Sequence, residues 1–428
     1  MQRNFALRSI CNAAEHCFII TKTLRSICNA AEHYFITFSS MTNAAERYYL
    51  RPFMKVLIIP ESFPTDMDPV AGVFMEDQVK ALAPLCELVI FNTNPWYRGV
   101  YNQTADASFF DFHLFDKKWP TPLHLLAYRW WERQSIKLAT KLPKPDIIHL
   151  HGSGLRGQIV IALAAKWKVP FVVTEHTGPW SAVASRPAIF ARSKRCIESA
   201  DALLPVSSHL ASEIRDSGIN ARRVEVLGNP VDTDFFDLRT TDLSAPRRIL
   251  FLGRLDPFKG GLRTLEAFLS VAASLPDYRL LIAGEGIEAG AIQETIDSSG
   301  LDHRIEFANR VLDRSEMREH FHASSFLIFP SSFESFGLVG AEAMATGLPA
   351  ILPNRTGPLD YFFPKGCIQV NPDSVEEIAL AMIEMATKLG QIESEAIRNH
   401  ILHGHGVAAY GQKLERVYAS VISAKFVG

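Results

Sequence analysis

The stretch SFLIFPSSFESFGLVGAEAMATGLPAILPN, residues 325–354, contains the pattern that decides the fold. Its two apolar runs, SFLIFPS from residue 325 and PAILPN from residue 349, are typical of buried strands. The segment between them reads as a loop and then a helix, with Glu334 before the helix and Glu342 inside it. Strand, helix and strand in this order indicate a parallel sheet that helices cover on both faces.

The same alternation extends over most of the chain. Further apolar runs begin at residues 56, 88, 146, 170, 202, 248, 279 and 304, and the polar stretch FDLRTTDLSAPRR, 236–248, divides them into two series. We therefore predict an α/β protein with two Rossmann-like parallel-sheet domains, 54–238 and 246–407, facing a cleft. A last helix, about 408–428, is predicted to pack back on the first domain. Ligands of such sheets bind beyond the carboxyl ends of the strands, so the chemistry is expected in the cleft.

The first 53 residues follow a different pattern. LRSICNAAEHCFI at 7–19 returns as LRSICNAAEHYFI at 24–36. Solenoid repeats need about three or more stacked units of 20 to 50 residues, and this unit is shorter. We interpret 1–53 as a disordered leader or a mis-assigned start, with the first strand beginning at MKVLIIP, and we expect its deletion to leave fold and activity intact.

Composition narrows the class of function. The formal net charge is −2, which argues against a protein that mainly neutralises nucleic-acid phosphates, so no nucleic-acid partner is expected. The six cysteines show no paired or metal-ligand spacing, which is typical of a reducing compartment. The sequence contains no apolar run of about eighteen residues and no signal-peptide pattern. The sequence thus predicts a cytoplasmic protein that acts on small molecules.

Two cations follow the first strand of the second series. The string GRLDPFKG, 253–260, places Arg254 just after the strand and Lys259 in a turn-rich loop before a helix. Cations at the carboxyl end of a strand face the expected cleft, where they can neutralise a diphosphate leaving group without a metal ion. The alternative for this string alone is a solvated, salt-bridging loop.

Two glutamates accompany the next helix. Glu334 and Glu342 are separated along the helix by about 10 Å, comparable with the length of a sugar diphosphate. Between them, Phe336, Gly337 and Leu338 offer backbone N–H groups at a helix N-terminus, which favours phosphate oxygens. Each glutamate could hold one end of the same donor. The alternative for such a pair alone is two solvated helix residues.

A competing motif lies in the first series. Gly152, Gly154 and Gly157 match G-x-G-x-x-G directly after a strand, and Glu175 ends the next strand. This is the pattern of a dinucleotide-binding fingerprint, which would indicate an NAD-dependent oxidoreductase using GSGLRG, 152–157. Against it, the fingerprint normally occupies the first βα unit of its domain, and here about ninety residues of α/β pattern precede it. The alternative is a tight turn between strand and helix.

Taken together, the strings of the second half resemble retaining glycosyltransferases of family 4, which have the GT-B architecture. GRLDPFKG resembles the family's diphosphate motif, and ESFGLVGAE resembles its signature of two glutamates separated by seven residues. The likeness covers most of the chain from Met54. It implies that Arg254 and Lys259 bind the donor diphosphate, that Glu334 contacts the transferred sugar, and that Glu342 contacts the nucleotide ribose.

The first half resembles the family less sharply. DPVAGVFMEDQVKAL is similar to the family's glycine loop, with Gly72 at one position of the usual glycine pair and Val73 replacing the second glycine. The resemblance implies that Gly72 takes part in binding the donor phosphates. His176 matches a histidine that family members place near the reacting sugar and the acceptor. LGNPVDTDFF resembles a segment before the interdomain linker, with Pro230 replacing a glycine.

The resemblance also implies a mechanism. The acceptor hydroxyl approaches from the face that the nucleotide leaves, and the leaving phosphate helps to remove its proton. The resemblance then implies catalytic roles for His176, Glu334, Arg254 and Lys259. No D-x-D string occupies a cleft position, so we predict neither a metal nor a cofactor beyond the nucleotide-sugar substrate. A glycan or lipid-linked acceptor in cell-surface polysaccharide synthesis is expected. A non-catalytic nucleotide-sugar-binding protein of the same fold stays an alternative.

A basic segment in the first half suggests where an acceptor could be presented. Residues 117–144 contain one acid, Glu132, the aromatic residues Tyr128, Trp130 and Trp131, and seven basic residues: Lys117, Lys118, Arg129, Arg133, Lys137, Lys141 and Lys144. A second cluster, 186–195, contains Arg186, Arg192, Lys194 and Arg195. Basic side chains beside interfacial aromatics suit a helix lying on an anionic membrane surface, which would make the protein peripheral at the inner face of the cell membrane. The alternative is a solvated basic face whose tryptophans pack inward.

Overall fold

The computed structural model describes residues 53–64, 72–94, 108–113, 121–240 and 247–427. Contacts divide the chain into two units, Met1–Phe53 and Met54–Gly428, and all described helices and strands belong to the second. The interpretation of residues 1–52, and the roles suggested for Lys117 and Lys118, lie outside the described residues. They stay predictions.

The first half forms a six-stranded parallel sheet in the order β3-β2-β1-β4-β5-β6. Its strands are β1 Met54–Ile59, β2 Cys86–Asn94, β3 Ser108–His113, β4 Ile147–His151, β5 Phe171–Glu175 and β6 Ala202–Pro205. Its helices are α1 Val73–Leu82, α2 Thr121–Ala139, α3 Gly157–Trp167, α4 Ser181–Ala184, α5 Pro187–Ser199 and α6 Ser208–Asp216.

The second half repeats this arrangement with the strand order β12-β11-β10-β7-β8-β9, again all parallel. Its strands are β7 Arg247–Leu252, β8 Tyr278–Ala283, β9 Ile305–Ala308, β10 Phe326–Ile328, β11 Ala350–Pro353 and β12 Cys367–Val370. Its helices are α7 Gly261–Val271, α8 Ala289–Ser299, α9 Arg314–His322, α10 Leu338–Ala345, α11 Val375–Lys388, α12 Ser394–His405 and α13 Val407–Val427.

Both sheets have the Rossmann strand order, which reverses once in each sheet. The reversal lies between β1 and β4 in the first sheet and between β7 and β10 in the second. The predicted fold class is confirmed, and all ten predicted strands are present. The sequence analysis missed β3 and β12, which are both edge strands. An edge strand pairs on one side only, so it need not be a continuous apolar run.

The last helix, α13, lies against the first sheet's layer. Tyr418 Oη is 2.6 Å from His149 Nδ1 on β4, and Gln78 of α1 hydrogen-bonds to Tyr410. A Cβ atom on Gly411 would lie 2.2 Å from the Ala81 carbonyl oxygen, so the glycine allows the two helices to approach closely. The chain therefore crosses back to the first half after completing the second.

Loops at the carboxyl ends of the two sheets meet. A Cβ atom on Gly178, after β5, would lie 2.5 Å from the Phe333 ring, after β10. The Ser208 amide at the start of α6 donates a 2.6 Å hydrogen bond to the Asp360 carboxylate of the second half. The strand ends of the two halves therefore face each other, and the loops between them line a cleft.

Candidate active site

Lys259 and Glu334 form an ion pair at the reversal point of the second sheet. Lys259 follows β7 and Glu334 follows β10, which are neighbours in the sheet. The Lys259 Nζ atom donates to Glu334 Oε1 at 2.6 Å, and the two side chains are 19% and 11% exposed. The structure therefore brings together the cation and the carboxylate that the sequence analysis placed on separate motifs and expected to bind the diphosphate and the sugar.

The loop that carries Lys259 is shaped by Asp256. Its carboxylate accepts hydrogen bonds from the backbone amides of Phe258 and Lys259, both at 3.1 Å. Arg254 Nη2 lies 3.0 Å from the same carboxylate, but the Arg254 side chain is 76% exposed. Arg254 is thus held loosely at the loop surface, whereas Lys259 is directed inward.

Helix α10 begins four residues after Glu334, with Gly337 at its N-cap. Gly337 has a φ angle of +86°, and a Cβ atom there would lie 2.8 Å from the Tyr361 hydroxyl. That hydroxyl donates a 2.7 Å hydrogen bond to the Gly337 carbonyl oxygen. Both the backbone conformation and the available space therefore require glycine. The first amides of a helix have no partner within it, so those of Phe336, Gly337 and Leu338 suit phosphate oxygens.

Glu342 lies four residues into α10, and its surroundings differ from those the sequence suggested. The residue is 3% exposed, and its Oε1 atom lies 3.6 Å from Nη2 of Arg314 on α9. Burial raises the pKa of Glu342 to about 8; Arg314 opposes this rise, and the charge of Asp77 adds to it. Glu342 is therefore a nearly buried acid with Arg314 as a charged partner at one carboxyl oxygen.

The pKa of Glu342 leads to a testable pH dependence. Between pH values of about 4.5 and about 8, Glu342 keeps a proton in the folded protein that it releases in the unfolded chain. The resulting contribution to stability is therefore complete below pH 4.5 and is lost as the pH rises through 8. We expect Glu342→Gln to reduce the loss of unfolding free energy between pH 6 and pH 9, by at most about 1.4 kcal/mol per pH unit. Urea unfolding across this range measures it. Glu266→Gln, at an exposed site, is the control; equal slopes for wild type and Glu342→Gln would contradict the assignment.

On the first sheet, Gly72 precedes α1 with a φ angle of +76°. A Cβ atom there would lie 2.6 Å from the Ser62 carbonyl oxygen, which belongs to the loop after β1. The glycine therefore lets the start of α1 pack against that loop. Val73, at the second glycine position of the resembled motif, is the first residue of the helix.

His176 lies directly after β5 and belongs to a row of three histidines. Its Nε2 atom is 2.9 Å from His151 Nδ1, and its ring centroid is 4.4 Å from that of Phe74. The ring of His151 in turn lies 4.1 Å from that of His149. Burial lowers the pKa of His176 to about 3, so the imidazole is neutral near pH 7. His176 can therefore exchange hydrogen bonds with a substrate but does not supply a positive charge.

The GSGLRG motif has a structural use in this fold. The Glu175 carboxylate accepts hydrogen bonds from the Ser153 amide at 2.9 Å, the Ser153 hydroxyl at 2.6 Å, and the amides of His176 and Thr177. A Cβ atom on Gly157 would lie 2.7 Å from Cys196. The acid that a dinucleotide fingerprint needs for a ribose is thus satisfied by its own loop, which favours the tight-turn interpretation.

The sequence analysis missed Glu61 at the reversal point of the first sheet. Glu61 follows β1, and a Cβ atom on Gly152, after β4, would lie 2.4 Å from its Oε2 atom. Gly152 has a φ angle of +75°, so it both makes the turn and leaves room for this carboxyl group. Desolvation is the largest cause that raises the Glu61 pKa to about 7; the charge of Glu175 adds to it and Arg156 opposes it. Its position two residues beyond a central strand was the signal that could have identified it.

Models of two protein families match the two halves of the chain. The model of glycosyltransferase family 4 matches residues 71–235, and that of glycosyl transferases group 1 matches residues 246–388. Over 225 residues the chain is 28% identical to glycogen synthase of Mycobacterium tuberculosis, covering 50% of this chain and 53% of that protein. Over 233 residues it is 30% identical to D-inositol 3-phosphate glycosyltransferase of a Mycobacterium species, covering 48% and 51%. The chain spans about half the length of these relatives.

Solved structures share the fold at low identity. Sucrose-phosphate synthase from Thermosynechococcus elongatus superposes with a TM-score of 0.69 at 17% identity, covering 87% of this chain and all of that one. Anabaena HepE, solved in complex with UDP, gives a TM-score of 0.68 at 16% identity, covering 86% and 100%. Two Rossmann-like domains that meet at their strand ends define the GT-B class. This chain belongs to the GT-B glycosyltransferases, matching the models of family 4 and group 1, so the predicted family and enzyme class are confirmed at that level.

Proposed function

We propose that the chain transfers a sugar from a nucleoside diphosphate donor to a hydroxyl-bearing glycan or lipid-linked acceptor, with retention of anomeric configuration and without a metal ion. The observation that carries this proposal is the Lys259–Glu334 pair at the reversal point of the second sheet, beside the N-terminus of α10. A cation and free helix amides suit the diphosphate, and a carboxylate beside them suits sugar hydroxyls.

Donor binding has to change this pair. A donor phosphate competes with Glu334 for the Lys259 ammonium group, which leaves the Glu334 carboxylate to accept hydrogen bonds from the sugar. In the reaction, the acceptor oxygen bonds to the anomeric carbon as the bond to the diphosphate breaks. The acceptor proton passes to an oxygen of the leaving phosphate. Lys259 and the amides after Phe336 stabilise the charge that develops there.

The first half is proposed to bind the acceptor. Glu61 follows β1 and His176 follows β5, on either side of β4. There a neutral imidazole and a carboxyl group with a raised pKa can orient a hydroxyl. Two relatives are named for glycogen and for D-inositol 3-phosphate, and both of these molecules are rich in hydroxyl groups. A role in cell-surface polysaccharide synthesis in the cytoplasm fits this chemistry and stays part of the proposal.

A ligand screen tests the proposed function. UDP, UDP-glucose, GDP-mannose and NAD are each added to the purified chain, and the melting temperature is recorded, because a ligand of the folded state raises it. We expect stabilisation by one nucleoside diphosphate and its sugar, unchanged by EDTA, together with slow hydrolysis of that donor. Stabilisation by NAD alone would favour the oxidoreductase alternative, and binding without any turnover would favour the non-catalytic one.

A membrane surface is proposed as a partner on the basis of helix α2. Its exposed face carries Arg129, Arg133 and Lys137, at spacings of four residues that align side chains on a helix, and exposed Lys141 follows just after its end. These four residues define the basic stripe. Trp130 beside the stripe is 50% exposed, whereas Trp131 is fully buried. Of the second cluster, Arg186 and Arg195 are exposed, and Arg192 pairs with Glu132. In the part of the chain that the structure describes, no helix is both long and apolar enough to cross a bilayer.

Vesicle co-sedimentation tests this surface. The protein is expected to bind vesicles containing phosphatidylglycerol at low salt, to dissociate near about 0.5 M salt because screening is strong there, and to ignore neutral vesicles. Arg133→Glu with Lys137→Glu should abolish binding, whereas Arg215→Glu with Arg279→Glu, at exposed sites elsewhere, should change it less. Equal binding to anionic and neutral vesicles would contradict the proposal and favour a soluble acceptor.

A further inference from the structure

One guanidinium group connects the two halves of the protein. Arg314 is the first residue of α9, directly after Asp313, which forms a capping box with Glu316 at this helix start. Its Nη1 and Nη2 atoms donate to the two carboxylate oxygens of Asp77, both at 2.9 Å. Asp77 lies on α1, one turn after the glycine loop at Gly72. A bidentate contact of this kind fixes both the distance and the orientation of its partners.

The same guanidinium group contacts two further parts of the molecule. Its Nη2 atom lies 3.6 Å from Glu342 on α10, and its Cζ atom lies 5.3 Å and 5.1 Å from the ring centroids of Phe235 and Phe236. These two phenylalanines belong to the segment that joins the halves. Arg314 thus touches the first half, the connecting segment and the helix that begins at the donor site.

Burial makes these contacts strong and mutually dependent. Asp77 and Glu342 are 2% and 3% exposed, and the Arg314 side chain is 24% exposed. Two buried carboxyl groups therefore share one cation, and the pKa of each carboxyl is raised, mainly by desolvation. Without Arg314, two buried acids would face each other with no positive charge between them, which is strongly unfavourable.

We propose that Arg314 is a positioning residue for the donor ribose: it holds the Glu342 carboxyl in place and ties it to Asp77, so that the ribose site is complete only when the two halves are in contact. This inference rests on the proposed function and on the ribose contact that the family resemblance implies for Glu342. It assigns to α9 and α1 a part in donor recognition that neither the glutamate motif nor the cation motif reveals. It also gives the contact between the halves a chemical consequence at the donor.

Ribose discrimination separates this role from a merely structural one. Dissociation constants are measured by calorimetry for UDP and 2′-deoxy-UDP, and for GDP and 2′-deoxy-GDP, with wild type, Arg314→Lys and Arg318→Ala. For the base that binds, wild type should prefer the ribonucleotide by up to about 10-fold, the upper end of the net contribution of one hydrogen bond. Arg314→Lys should lose most of that preference. Arg318, one turn along α9, pairs with exposed Asp237 and contacts Phe235, so its removal should keep the preference.

Each outcome decides between the hypotheses. The role of Arg314 is overturned if the preference for the ribonucleotide persists in Arg314→Lys, or if wild type binds the ribonucleotide and the deoxyribonucleotide equally. Either result leaves the proposed function standing. A wild type that binds neither nucleotide overturns both. If Arg314→Lys does not fold, Asp77→Asn serves instead. This variant keeps the Arg314–Glu342 contact but removes the negative charge that pairs with Arg314 from the first half. It should lower the affinity for the ribonucleotide at least 3-fold and increase the radius of gyration in small-angle scattering. An unchanged affinity and radius would contradict the proposal.

Discussion

Lys259→Met is expected to lower the rate of donor turnover by about 100-fold to 1,000-fold, the usual effect of removing one preorganised group that stabilises a developing negative charge. The rate is measured as release of nucleoside diphosphate with water as the acceptor, so no acceptor has to be identified. The matched control is Lys388→Met, which removes a lysine paired with Glu384 at an exposed site on α11. Retention of full activity by Lys259→Met would contradict the proposed donor site.

The ion pair also makes a prediction about stability. Lys259→Met leaves the Glu334 carboxylate nearly buried and without its cation, so the free energy of unfolding should fall by up to about 3 kcal/mol. Adding Glu334→Gln should recover most of this loss, because the unpaired charge is then absent, but it should not recover turnover. A double variant as unstable as the single one would show that Lys259 contributes mainly through packing.

Trp131→Ala is expected to lower the free energy of unfolding by about 3–5 kcal/mol, the range for truncating a large aromatic side chain in a core. Trp131 is fully buried, and its ring lies 5.2 Å from that of Tyr128. Trp130, its neighbour in sequence, is half exposed, so Trp130→Ala should change stability by no more than about 0.5 kcal/mol. Urea unfolding measures both.

The same two variants divide the aromatic residues between core and surface. Trp130→Ala should weaken co-sedimentation with anionic vesicles, since an exposed ring beside the basic stripe can enter the headgroup region. A large loss of stability in Trp130→Ala, or none in Trp131→Ala, would contradict the burial described for α2. The sequence analysis treated the three aromatic residues of this segment as one group, because spacing alone did not determine the rotation of the helix against the sheet.

Much of the proposed donor site was predictable from short stretches of sequence. Lys259 and Glu334 each follow a central strand, and parallel strands end at one edge of a sheet, so local patterns sufficed to place both side chains in the cleft. Their direct contact was not predicted, since it depends on which strands are neighbours. The strand order β10-β7 decides that, although 75 residues separate the two side chains.

Glu342 shows the limit of such reasoning. Its position on the helix after β10 follows from the local sequence pattern. Its partners do not, because Arg314 and Asp77 are 237 residues apart in sequence and meet only when the two halves pack together. The GSGLRG motif is a similar case, in which Glu61 and Cys196 occupy the space that the missing side chains of Gly152 and Gly157 leave.

By itself, the sequence determined that this protein has two parallel sheets with helices between the strands, and which loops carry the charged residues of the cleft. Apolar runs and turn residues act over a few neighbouring positions, so these properties can be read locally. Only the tertiary structure decided that Lys259 pairs with Glu334, that Glu342 is a buried acid held by Arg314, and that Trp131 is core while Trp130 is surface. Each of these depends on groups brought together by packing across the sheets and between the halves, where burial, not residue type, determines whether a charge is solvated, paired or neutral.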